Sequence, residues 1–260
     1  AYDSGIKLFD TAPAYGDSER SLSAYIPNYN DIQIVTKTPH FPRKRANPKD
    51  LSEFKSTFER SLTNLQVDRV HGLLVHRGTD LLKPGAHSLW AEMELLKAIG
   101  KVSFIGASVY CPEELLKLLD IYSIDIVQLP LNILDQRFLQ CGILRQLKEA
   151  SIAVHVRSAF LQGILLAEPD QLPRYFQPLV PHLKLIRRAA ANSGCSMLSV
   201  ALKFGLDLQD VDTVLVGVDS VNQLHQILGA VDEPVPYDFD YERCAVSELR
   251  WINPTLWNLE

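Results

Sequence analysis

The chain has 260 residues, 47% of them hydrophobic, enough to bury a large core. Its formal net charge of −5, with no basic block and no basic-aromatic stripe, excludes a nucleic-acid surface. No apolar run reaches the ~18 residues of a membrane span, and no secretory leader pattern is seen. The four scattered cysteines, Cys111, Cys141, Cys195 and Cys244, show no CxxC or Cys/His spacing. They predict free buried thiols, no metal site and a cytoplasmic location.

In chain order, AYDSGI reads as the last turn of a helix, with Gly5 as its stop. Seven short runs rich in Val, Ile and Leu follow: residues 6–10, 32–37, 70–76, 102–108, 125–130, 152–158 and 212–218. Most do not alternate with polar residues, as suits strands buried on both faces of a parallel sheet. Between them lie helical patterns. After the second run, Leu51, Phe54, Phe58, Leu62 and Leu65 form one apolar stripe, and Pro48 and Asp50 suit its N-terminus. Later helices are read in SLWAEMELLKAIGK, which Gly100 would end, and in CPEELLKLLDIY, CGILRQLKEA, HLKLIRRAAANSG, SMLSVALKFGLDL and SVNQLHQILGAV.

This alternation predicts an α/β chain forming a single (β/α)8 TIM-barrel domain over residues 1–260. Only seven strands are visible after a helix end, so the first strand of that barrel is expected to lie before Ala1. The tail, residues 251–260, is apolar enough to pack on the barrel, where Trp251 and Trp257 suit either the lining of a substrate pocket or, the favoured reading, the covering of a helix.

Polar residues gather where the strands end. Asp10 ends the first run, Lys37 the second, His76 the third and Ser108 the fourth; Gln128 is late in the fifth, and Arg157 and Ser158 close the sixth. In a barrel these ends share one mouth. Taken singly, Asp10 reads equally well as a cap, Tyr15 as a half-buried aromatic, Lys37 as a snorkelling side chain and His76 as a hydrogen-bonded structural histidine. Taken together they suit one task. A phenol is a weak acid near neutrality, and a nearby ammonium favours its ionised form. A carboxylate holds that ammonium, and a histidine orients a carbonyl oxygen. The set makes Tyr15 a general acid aimed at an oxygen that gains negative charge.

The stretches GIKLFDTAPAYGDSE, IVTK, GLLVH, LKAIGKVSFIGAS, IVQLPLN, RSAFLQGILL and VLVGV resemble the aldo-keto reductases, in family order over nearly the whole chain. The resemblance implies an NAD(P)H-dependent oxidoreductase that reduces an aldehyde or ketone, with Asp10, Tyr15, Lys37 and His76 as its catalytic tetrad. It also implies an extended nicotinamide cofactor, and no GxGxxG follows any strand. On this reading Ser108, Gln128, Arg157, Ser158, Gln162, Gly217, Asp219, Ser220 and Gln223 hold the cofactor. The expected cofactor is NADPH, with NADH admitted by Asp219, whose acid would repel a 2′-phosphate. Asp219 reads equally as the N-cap of the following helix. Val109 departs from the family, which usually has asparagine there, and Arg157 stands where the family often has a stacking tyrosine. The basic loop residues Arg43, Lys44 and Arg45 suit either a solvated loop or attraction of an acidic substrate. The expected partner is a small-molecule carbonyl substrate, without nucleic acid or membrane; the sequence is silent on oligomeric state. From another class, the alternative is a nicotinamide-binding barrel that acts as a regulatory or scaffold subunit.

Overall fold

The structure is a computed structural model of the 260-residue chain. It describes all residues except 27–30, 236–238 and 259–260. Two compact units are distinguished: Ala1–Gln128 with Ser151–Ala153, and Leu129–Ala150 with Val154–Glu260.

All seven apolar runs contain a strand: β1 (Leu8–Asp10), β2 (Gln33–Lys37), β3 (Val70–Val75), β4 (Val102–Ser108), β5 (Ile126–Pro130), β6 (Ala153–Arg157) and β7 (Thr213–Val214). The strand order follows the chain, β1 to β7. The registered pairs are parallel, as expected where a helix returns the chain between strands. The last run is the exception in length, because regular pairing spans only two of its residues. Beyond it the Leu215 N–H still reaches the Val156 carbonyl at 2.7 Å.

In the first unit the return helices are α1 (Ser18–Ser23), α2 (Pro48–Leu65), α3 (His87–Ala98) and α4 (Pro112–Leu119). The apolar stripe of α2 is buried at Phe54, Phe58, Leu62 and Leu65. Asn47 caps α2: its side chain accepts from the Lys49 and Asp50 N–H groups, and Asp50 accepts back from the Asn47 N–H at 2.9 Å. This reciprocal box fixes where the loop after β2 turns into helix. Gly100 follows α3 with φ of 77°, the left-handed stop expected of it. On one side of the strands Val35, Leu74 and Ile126 form a fully buried cluster, with Leu8 packed against it. Gly106 sits where β4 meets β5. A Cβ there would lie 1.8 Å from the Ile126 carbonyl oxygen, so only glycine allows this register.

The second unit carries α5 (Arg137–Gln140), α6 (Ile143–Glu149), α7 (Val180–Asn192), α8 (Met197–Leu206), α9 (Val221–Val231) and α10 (Leu249–Ile252). Its core joins Phe176, Leu179, Leu183, Ile186, Val200 and Cys244, with Trp251 and Trp257 packed against it. Trp257 meets Phe176 edge to face at 4.7 Å, so the tail covers this core. The last two residues of the tail lie outside the described residues.

The four thiols are free, but only Cys244 is buried; Cys111 and Cys195 are half-buried and Cys141 is exposed. The expectation of four buried thiols is corrected on that point. Cys141 falls just after α5, a four-residue helix with a single buried residue, Phe138, whose carbonyl the thiol of this exposed residue reaches at 3.5 Å. Among the described residues no cluster of His, Cys, Asp and Glu could hold a metal. Nor is any described helix long and apolar enough to cross a membrane.

Candidate active site

The four proposed catalytic residues belong to the first unit, and Asp10, Lys37 and His76 stand at strand ends that the parallel register sets side by side. Asp10 lies opposite Val35 and Lys37 opposite Leu74. His76 follows β3 directly.

Lys37 is the most enclosed of the four, its side chain 1% exposed. A buried ammonium needs a charged partner and hydrogen bonds. It has both: Nζ donates to Asp10 Oδ2 at 2.6 Å and to the Thr11 carbonyl at 3.0 Å. The reading of Lys37 as a snorkelling side chain is therefore set aside. Asp10 uses its second oxygen as well, because Gln128 Nε2 donates to Oδ1 at 2.8 Å. Gln128 is buried, and so is Ser108, its register partner. The Gln128 amide N–H thus serves the carboxylate that holds the lysine.

Tyr15 is placed by a turn. Its N–H returns to the Ala12 carbonyl at 3.0 Å, and Gly16 with φ of 59° reverses the chain into α1. Thr11 and Ser18 hydroxyls close the turn at 2.9 Å. Glu19, buried in α1, accepts from Thr36 at 3.1 Å and from Asn64 at 3.2 Å, which ties the turn to β2 and α2. The Tyr15 ring lies with its centroid 5.0 Å from Lys37 Nζ. The His76 ring stands edge-on to it at 5.8 Å, with an 88° interplanar angle. Tyr15 is 46% exposed, so its face is open to a ligand while the lysine behind it is not. The four residues thus converge on one place.

Sequence reasoning missed the residues that steady this cluster. Thr38 Oγ1 accepts the His76 N–H at 3.3 Å. Asp80, 1% exposed, binds His40 Nδ1 at 3.0 Å, the Phe41 N–H at 3.1 Å and Lys83 Nζ at 2.5 Å. A carboxylate forty residues from its histidine leaves no spacing to read. The one available signal was its place just after a strand end.

In the second unit, the remaining candidates fall in two stretches. After β6 the backbone is held in uncommon conformations: Ser158, Leu161 and Gln162 have φ of 65°, 46° and 53°. Strain of this kind collects where a backbone is shaped for a ligand. The Ser158 carbonyl accepts from Asn132 Nδ2 at 3.0 Å, and Arg157 Nη1 lies 3.5 Å from Ser158 Oγ. The second stretch is the entry to α9. Ser220, not Asp219, is the N-cap, its hydroxyl accepting from the Gln223 N–H at 3.2 Å. Gln223 folds back to accept the Asp219 N–H at 2.7 Å. Gly217, Asp219, Ser220 and Gln223 are all exposed. The Asp219 carboxylate is thereby released from capping.

Of the loop cations, Arg43 is exposed but not spare, for Nη1 binds the buried Asp50 at 2.5 Å and braces the start of α2.

A model of the Aldo/keto reductase family matches residues 1–244. The chain is 27% identical to L-galactose dehydrogenase of Arabidopsis thaliana, over 100% of this chain and 83% of that one. It is 25% identical to the NADH-specific methylglyoxal reductase of Escherichia coli, over 89% and 80%. Among solved structures it is similar to the aldo-keto reductase AKR11C1 from Bacillus halodurans in its holo form. There the TM-score is 0.75 at 22% identity, covering 95% of this chain and 85% of that one. The likeness establishes the fold class, the α/β (β/α)8 barrel expected from the strand–helix alternation.

Proposed function

The chain belongs to the aldo/keto reductase family, and from that premise we propose that it reduces an aldehyde or ketone to the alcohol with Tyr15 as general acid. One observation carries the reading: a buried Lys37, ion-paired with Asp10, lies under an accessible Tyr15 that His76 adjoins. Each member has a part. Tyr15 passes its hydroxyl proton to the carbonyl oxygen as that oxygen gains charge. Lys37 stabilises the phenolate left behind, in a site where burial strengthens its field. Asp10 keeps Lys37 charged and fixed in direction. His76 hydrogen-bonds the carbonyl oxygen and sets it toward Tyr15.

Members of this family use nicotinamide cofactors, and when bound that cofactor supplies the hydride to the carbonyl carbon. Residues of this chain suit it. Ser108 and Gln128 offer buried polar groups for a carboxamide. The strained turn at Ser158 and Gln162, with Arg157, offers donors for phosphates. The α9 entry at Gly217, Ser220 and Gln223 offers a helix N-terminus. We assign NADPH as the default cofactor and NADH as the one that Asp219 favours, since an exposed carboxylate there opposes a 2′-phosphate and can accept from a ribose hydroxyl.

The test is loss of reduced-cofactor absorbance with a panel of aldehydes, run with NADPH and with NADH. Turnover of any aldehyde supports the reading. A chain that binds either cofactor by fluorescence titration but turns over none would contradict it. An Asp219→Ser variant should shift preference toward NADPH; an unchanged ratio would remove Asp219 from cofactor selection.

A further inference from the structure

Directly after His76 in the chain begins a charge arrangement that carbonyl reduction itself does not use. Arg77 follows His76 directly, one Cα step of about 3.8 Å along the chain. Its Nη1 lies 3.3 Å from His40 Nε2. The other nitrogen of that ring, Nδ1, faces the Asp80 carboxylate at 3.0 Å. A carboxylate only accepts and a guanidinium only donates, so the imidazole donates at Nδ1 and accepts at Nε2. His40 is thus a strut between a buried acid and an exposed arginine.

The charges do not cancel at Arg77. Asp80 is balanced by Lys83 Nζ at 2.5 Å and takes a further N–H from Phe41. Lys83 also donates to the Phe41 carbonyl. Among the described residues Arg77 pairs with no carboxylate. The arginine is exposed, with one of its five N–H groups spent on His40. What remains is a cation tied through the exposed His40 to the buried Asp80, on the residue that directly follows His76 in the chain. A planar guanidinium presented in this way matches a carboxylate.

We propose that Arg77, braced by His40 and Asp80, recognises a carboxylate on the substrate, so that the enzyme prefers aldehydes or ketones bearing an acid group. The proposal rests on the reductase reading above and deepens it. Arg77 is the binding group; His40 and Asp80 are positioning residues that act through it.

The test compares para-formylbenzoate with its methyl ester, two aldehydes of like shape that differ in charge. A charge-assisted contact should favour the acid by roughly tenfold to a hundredfold in kcat/KM. In Arg77→Gln that ratio should fall toward one, through a raised KM for the acid. Arg77→Lys, which keeps the charge but not the fork, should keep part of the preference. His40→Phe should lower the ratio while Arg77 remains. Circular dichroism of each variant checks that it folds. No preference for the acid, or a preference that survives Arg77→Gln, overturns the proposal. Turnover of neither aldehyde by the unaltered chain overturns the reductase reading first, and this inference with it.

Discussion

Lys37 and Asp10 bear on activity and on folding at once. Replacing Asp10 with Asn leaves a buried ammonium without its counter-charge, and such single removals cost about 3–5 kcal/mol. Asp10→Asn should therefore lower the urea midpoint as well as remove turnover; a variant as stable as the parent would show that the pair is not held as described. Gln128 gives a subtler case. Gln128→Leu removes the donor to Asp10 Oδ1 and should cost about 1–3 kcal/mol, with a lower kcat, whether or not the amide also meets the cofactor. The tetrad was legible because Asp10, Lys37 and His76 end successive apolar runs, with Tyr15 in the turn after the first, and strand ends are where a parallel sheet puts chemistry. Asp80 and His40 were not legible, because their contact joins two loops that only the folded chain brings together. Asp219 shows a third kind of limit. Two neighbouring residues could each cap α9, and the choice fell to Ser220 through its bond to the Gln223 N–H.

At the scale of elements, the strands and the helices α2–α4 and α6–α9 follow from local pattern to within a few residues, whereas the short α1, α5 and α10 were not read. The apolar runs marked every described strand, and the stripe from Leu51 to Leu65, with Pro48 and Asp50 at its start, marked α2; the capping box through Asn47 was not read. The β7 boundary was misjudged because an apolar run shows what can be buried, whereas strand length depends on a neighbour to pair with. Two substitutions test the account here. Asn47→Ala opens the capping box and should cost about 1 kcal/mol, read from urea unfolding. Gly106→Ala should be far worse, because the added methyl group meets the Ile126 backbone oxygen rather than a movable side chain. Loss of cooperative unfolding in Gly106→Ala is expected; a folded, active variant would mean that β4 and β5 are not so closely paired.

For the molecule as a whole, stability should be asymmetric in pH. In the second unit burial pushes the Cys244 thiol up from 9.0 to about 11 and the Tyr241 hydroxyl from 10.0 to about 12. Each acid is harder to ionise folded than unfolded. Their contribution is thus complete below the unfolded values and is lost as pH rises through the folded ones. The urea midpoint should decline between pH 9.0 and about 11, and Cys244→Ala should flatten the early part of that decline. Equal slopes in both proteins would remove Cys244 from the account. The division of labour in the chain is a scaffold of paired strands whose ends carry a small set of polar residues. The most direct test of the central claim is therefore a single substitution that removes one oxygen. In Tyr15→Phe, turnover of an aldehyde that the parent reduces should fall at least about a hundredfold, the low end of what a positioned acid contributes. Saturable binding of the reduced cofactor should persist. Turnover near the parent rate would show that the proton comes from elsewhere and that Tyr15 is not the general acid.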